Sequence, residues 1–165
     1  MKTQKTLFLA ALLAGMTLLF ACGQSNGGSD TADNTSAAAT ASTASADIDP
    51  EAKSDSKGIG KFTNVKLEAI DPVMAAKGET VFNAKCSACH KVTDQKLVGP
   101  GLLGVTKRRT PEWIMNQITN PVEMEAKDPV GKALLAKHLT QMTFQDVSDE
   151  QTRQILEYFR QNDSK

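Results

Sequence analysis

Cys86-Ser87-Ala88-Cys89-His90 decides the reading of this chain. Two thiols stand three residues apart and an imidazole follows at once. Three chemistries use a C-x-x-C pair: a redox disulfide, half of a zinc site, and covalent attachment of haem. The redox reading needs a βαβ context, and no segment here shows sustained period-2 alternation. A zinc site needs further Cys or His, and His138 is the one histidine left. Haem attachment needs the two thiols and the histidine at this spacing. The thiols form thioethers with two vinyl groups on one side of the porphyrin, and His90 projects at the iron. Cys86, Cys89 and His90 are therefore the expected attachment site of one haem c.

The flanking sequence is helical in pattern. Asp71-Pro72 is an N-cap with proline at the first helical position, opening a helix to about Lys85. Thr110-Pro111-Glu112 repeats the signal, and Asn120-Pro121 stops that second helix. Asp128-Pro129 starts a third. Ser148-Asp149-Glu150-Gln151 is a capping box, and Ile155, Leu156, Tyr158 and Phe159 continue it as an apolar stripe. The expected fold is all-α: about four helices with long loops at 86–109, 121–127 and 140–147. Loops of that length are odd in a small domain. They become sensible if something other than side chains fills the core, because only six aromatics lie outside the N-terminal apolar run.

Residues 72–162 resemble the small class I c-type cytochromes. The resemblance rests on Gly78 and Phe82 before the motif, Gly99-Pro100-Gly101-Leu102 after it, the Trp113 helix ending at Asn120-Pro121, and a Met before the helix bearing Tyr158. It implies a cytochrome c-like fold wrapped around one covalent haem, and it pairs Gly78 with Tyr158 where the first and last helices cross. It also implies that the Pro100 carbonyl accepts the Nδ1–H of His90, and that a Met is the distal iron ligand. Met142, in a loop before the Ser148 cap, matches the family's ligand position. Met115 sits mid-helix and Met124 in a polar linker or short helix. His138 is the rival, read as a surface residue at the end of a Lys-flanked stretch. Lys107, Arg108 and Arg109 are candidates to pair a haem propionate or dock an acidic partner, and the Trp113 Nε1–H to reach a propionate.

Residues 1–21 read as an export signal. Lys2 and Lys5 precede an apolar run too short for a membrane span. Leu19-Phe20-Ala21-Cys22 resembles a bacterial lipobox, implying acylation of Cys22 and a lipid anchor. Gly23 follows rather than Asp, which in a Gram-negative host favours the outer membrane. Residues 22–65 are expected to be a flexible tether: of the 28 residues 23–50, 19 are Ala, Ser, Thr or Gly, too few apolar groups to offset ordering entropy. The haem domain is then 66–165. The 19 basic and 19 acidic side chains balance, against a nucleic-acid binder. The expectation is a membrane-tethered one-electron carrier in the bacterial envelope, haem domain in the periplasm, with no small-molecule substrate and no enzymatic activity. Its partners would be a respiratory donor complex and a terminal reductase or oxidase. A faint likeness after Lys91 to cytochromes that accompany nitrous-oxide reductases suggests one such partner. Two alternatives stand beside this: a haem-bearing structural subunit, and a ligand sensor or peroxidase if the distal site is open.

Overall fold

The computed structural model describes residues 48–165; the apolar N-terminal run, Cys22 and the Ala/Ser/Thr-rich stretch to Asp47 lie outside the described residues. Six helices follow one another: α1 Pro72–Lys85, α2 Val105–Arg108, α3 Pro111–Thr119, α4 Pro121–Lys127, α5 Pro129–His138 and α6 Asp149–Asp163. There is no strand among the described residues, and no helix among them is long and apolar enough to cross a membrane.

Local chemistry sets the helix ends. The Asp71 carboxylate accepts from the N–H groups of Val73 and Met74, and Pro72 occupies the first turn, where its missing N–H costs nothing. Thr110 and Asp128 cap α3 and α5 in the same manner. Ser148 and Gln151 close a reciprocal capping box on α6.

Two helices lie inside segments expected to be loops. Helix α2 is one turn, entered through Gly104 in the left-handed conformation (φ 73°). Helix α4 arises because Pro121 works in both directions. It ends α3, since the residue before a proline is driven out of the helical region, and Asn120 sits at φ −143°. It then serves α4 as a first-turn proline.

The tether expectation fails for residues 48–65, which pack on the domain. Ile59, Phe62 and Val65 lie against the core. Buried side chains of α3 and α4 meet the backbone of this segment, a strap across the domain. Asn116 accepts from the Phe62 N–H (3.0 Å) and donates to the carbonyls of Lys57 and Phe62 (both 2.9 Å). Glu112 accepts from the Val65 N–H (3.0 Å). The Met124 sulfur accepts from the Ile59 N–H (2.9 Å). Composition undercounted this segment: three apolar side chains suffice when a partner surface supplies the rest of the burial and the hydrogen bonds.

Helices α1 and α6 form the most extensive helix pair. A Cβ at Gly78 would overlap the Gln154 carbonyl and stand 2.9 Å from the Ile155 nitrogen. The closest approach falls on the α6 backbone at Gln154 and Ile155, one turn before Tyr158. Tyr158 meets Phe82, one turn after Gly78, with ring centroids 5.6 Å apart, and Phe159 meets the same ring edge-on at 5.7 Å. Glu157, fully buried, joins the elements around this crossing: it accepts from the Asp71 N–H (2.9 Å) and pairs with Arg153 and Arg160. Burial alone would raise its pKa; the bonds from Arg153, the Asp71 amide and Arg160 outweigh that and hold it low. Gly78→Ala is expected to force the two backbones apart, at a cost of about 1–3 kcal/mol. The thermal midpoint of the haem-loaded protein should fall by about 10 °C. An unchanged midpoint would show that the crossing has slack.

Candidate haem site

Helix α1 delivers the motif. The Cys86 N–H donates to the Phe82 carbonyl (2.8 Å), and the amides of Cys89 and His90 fold back on the Cys86 carbonyl (3.0 and 2.9 Å). This tight turn keeps both thiols and the imidazole at one edge of a cavity of about 240 Å³. Cys86 is half-buried and Cys89 exposed. Burial pushes the Cys86 thiol up, with Lys85 opposing.

The chain after the motif returns to hold the ring of His90. The Gly99 N–H donates to the Cys89 carbonyl (2.9 Å). The Nδ1 of His90 lies 3.0 Å from the Pro100 carbonyl. A carbonyl only accepts, so Nδ1 carries the proton and Nε2 keeps its lone pair for a metal. Burial lowers the imidazole pKa, against the pull of the Pro100 bond; a neutral ring is the ligand form. A Cβ on Gly99 would stand 2.9 Å from both ring nitrogens, so only glycine leaves room for the ring there.

Apolar side chains from every helix but α4 wall the cavity, among them Phe82, Val105, Ile114, Ile118, Leu135 and Phe159. Met142 is on the wall, so His90 and Met142 share one cavity. The Met142 sulfur accepts from Gln117 Nε2 (3.7 Å) and its backbone N–H donates to Glu125 Oε1 (2.8 Å). Met115 and Met124 are buried in the core and do not line the cavity.

His138 is not the surface residue its lysine neighbours suggested. It lines the same cavity, and both ring nitrogens are buried without a hydrogen-bond partner among the described residues. Burial, followed by the charges of Lys96 and Lys137, lowers its pKa. Gln117 Oε1 and Glu125 Oε2 are likewise buried and unpartnered. Buried polar atoms are nearly always paired. Four such atoms on residues of one cavity mark it as built around a group that the protein chain does not itself provide.

At one side of the cavity stand Arg108 and Arg109 with Pro50 and Glu51 of the strap; Lys107 does not line it. Arg109 donates to the carbonyls of Pro50 and Ala52 and lies 5.3 Å from the Trp113 ring centre. Glu51 pairs with Lys137 (2.9 Å) and Arg108 (3.6 Å). The Trp113 Nε1–H is already committed: it donates to the buried Asp128 carboxylate (3.0 Å), so a core role replaces the propionate contact.

These residues fit a haem. The wall is apolar, two thiols stand at one edge, an oriented imidazole and a thioether face one space, and two guanidinium groups stand at its side to meet carboxylates. Sequence reading missed Gln117, Glu125 and the cavity position of His138. The available signal was spacing on the helices: Gln117 falls one turn before Pro121, and Glu125 beside the buried Met124.

Helices, motif and cavity together define a monohaem c-type cytochrome. The family model for cytochrome c matches residues 75–163, just over half of the chain. This chain belongs to the cytochrome c family; it is a class I c-type cytochrome, and its cofactor is covalently bound haem c. The solved cytochrome c from Rhodothermus marinus is 44% identical, covers 64% of this chain and 90% of its own, and superposes with a TM-score of 0.62. An engineered form of that protein, bound to the carbene intermediate 1-ethoxy-1-oxopropan-2-ylidene, is 42% identical over 71% of this chain and 100% of its own, with a TM-score of 0.58. A cytochrome c-553-like protein of Synechocystis sp. is 32% identical over 69 residues, 39% of this chain; the chain spans 66% of that protein's length, just under two thirds.

Proposed function

We propose that this protein is a membrane-tethered one-electron carrier. In this reading Cys86 and Cys89 hold the haem by thioethers, His90 is the proximal ligand and Met142 the distal one. The observation that supports it is the shared cavity of His90 and Met142. With both axial positions taken there is no vacant site for a substrate, and exchange of one electron is the chemistry that remains. The haem supplies the redox couple when bound. The chain's own residues do the rest: Pro100 fixes the His90 ring, Gln117 withdraws density from the Met142 sulfur, and the apolar wall excludes water. The last two favour the reduced state.

The protein would move electrons between a respiratory donor complex and a periplasmic terminal reductase or oxidase, a nitrous-oxide reductase among the candidates. Its lipid anchor would be Cys22, with the haem domain in the periplasm. The Cys22→Ser variant is expected to leave the membrane fraction as soluble haem protein or to persist as uncleaved precursor. Mass spectrometry of the wild type should find acyl chains on Cys22; mature protein without them removes the anchor from this reading. Saturation of the iron is tested on the reduced full chain: slow or absent carbon monoxide binding is expected, and ready binding would favour a sensor.

A further inference from the structure

We infer that Glu125 is a positioning residue for the distal loop, holding the backbone of Met142 so that its thioether stays in the cavity. The inference rests on Met142 being the distal ligand.

Residues 139–148 form no helix. Leu139 and Asp146, neither of them glycine, stand in the left-handed region at φ 55° and 51°, a conformation that costs a side-chain-bearing residue free energy. The loop has to be held from outside. Lys85 takes its far end, donating to the carbonyls of Gln145 and Asp146 (both 3.0 Å). Nearer the ligand the contacts are few: Gln141, Thr143 and Phe144 are all exposed. Among the described residues, the hydrogen bond from the Met142 N–H to Glu125 (2.8 Å) is the one bond that ties the backbone of residues 140–144 to any other element.

Glu125 itself needs an explanation. It is 6% exposed, and glutamates are rarely buried unless paired. Among the described residues no salt bridge reaches it, Oε2 has no partner, and the Met142 amide is what Oε1 accepts. Its own platform is firm. Gly131 of α5 packs against the α4 backbone so closely that a Cβ would stand 2.8 Å from the Met124 carbonyl carbon, and the strap bonds the Met124 sulfur. A short helix fixed on two sides thus presents one carboxylate to the ligand's amide. The strap, α4 and the ligand loop form a continuous mechanical chain.

The test uses the mature, haem-loaded full chain in the ferric state, with imidazole as a competitor for the distal position. Opening of the loop limits imidazole binding, so a lost anchor shows as tighter apparent binding. Glu125→Leu is expected to bind imidazole about tenfold more tightly than wild type, the order of one lost charge-assisted hydrogen bond. Glu125→Gln, whose amide oxygen still accepts, should stay within about twofold. Equal imidazole affinity in wild type and Glu125→Leu, with Met142→Ala binding far more tightly, overturns the role of Glu125 and leaves Met142 as ligand. Equal affinity in wild type and Met142→Ala overturns the ligand reading itself. Should Glu125→Leu fail to mature, the wild type decides alone. Its Met142 amide proton should exchange about tenfold more slowly than those of Gln141 and Thr143; equal rates at all three overturn the inference.

Discussion

Replacing Cys86 and Cys89 together by serine is expected to leave a chain without fixed tertiary structure. Much of the core also walls the haem cavity: Phe82, Val105, Ile114, Ile118, Ile155 and Phe159 belong to both. Without the porphyrin they would face about 240 Å³ of empty space. At roughly 24 cal/mol per Å³, such a void costs ~6 kcal/mol. Small domains have only ~5–15 kcal/mol of stability to lose. The single variants Cys86→Ser and Cys89→Ser should retain one thioether in part of the population and fall between the extremes. Near- and far-UV circular dichroism of the exported double variant is the measurement. A sharp near-UV spectrum from haem-free protein would mean that the walls close on themselves, and that the haem is a guest rather than the core.

The local signals in the sequence were good ones. Asp71, Thr110, Asp128 and Ser148 each announce a helix start through short-range bonds to their own chain, and all four cap helices. The C-x-x-C-H motif is also local, and it led to the cavity. What stayed hidden depends on partners distant in sequence. Residues 48–65 are too polar to fold alone and become ordered because Asn116, Glu112 and Met124 meet their backbone. Helix α4 is half hidden: Pro121 reads as a terminator, and the polar stretch around Met124 fits a linker as well as a short helix. Nothing local marks Glu125, and only the fold brings it beneath Met142, seventeen residues along. His138 was judged by its neighbours in sequence, whereas its helix turns it toward His90's cavity. Gly78 was recognised as a crossing residue, but the atom it meets follows from the register of α6, which no single residue carries.

Met142→His is expected to keep a six-coordinate, low-spin haem and to lower its potential by ~0.2 V, within the ~0.8 V range that axial ligands span. Thioether is a weak donor that favours Fe(II), whereas imidazole stabilises Fe(III). Met142→Ala should instead open the distal side, giving a high-spin fraction and ready binding of carbon monoxide. The weak Met–Fe(III) band near the red edge of the oxidised spectrum should be lost in both. Met115→Ala and Met124→Ala are the controls. Both sulfurs are buried away from the cavity, so these changes should cost about 2–5 kcal/mol of packing and leave that band in place. If the band survives in Met142→Ala and disappears in Met124→Ala, the ligand has been misassigned. If it survives in all three methionine variants, the distal ligand is none of these three.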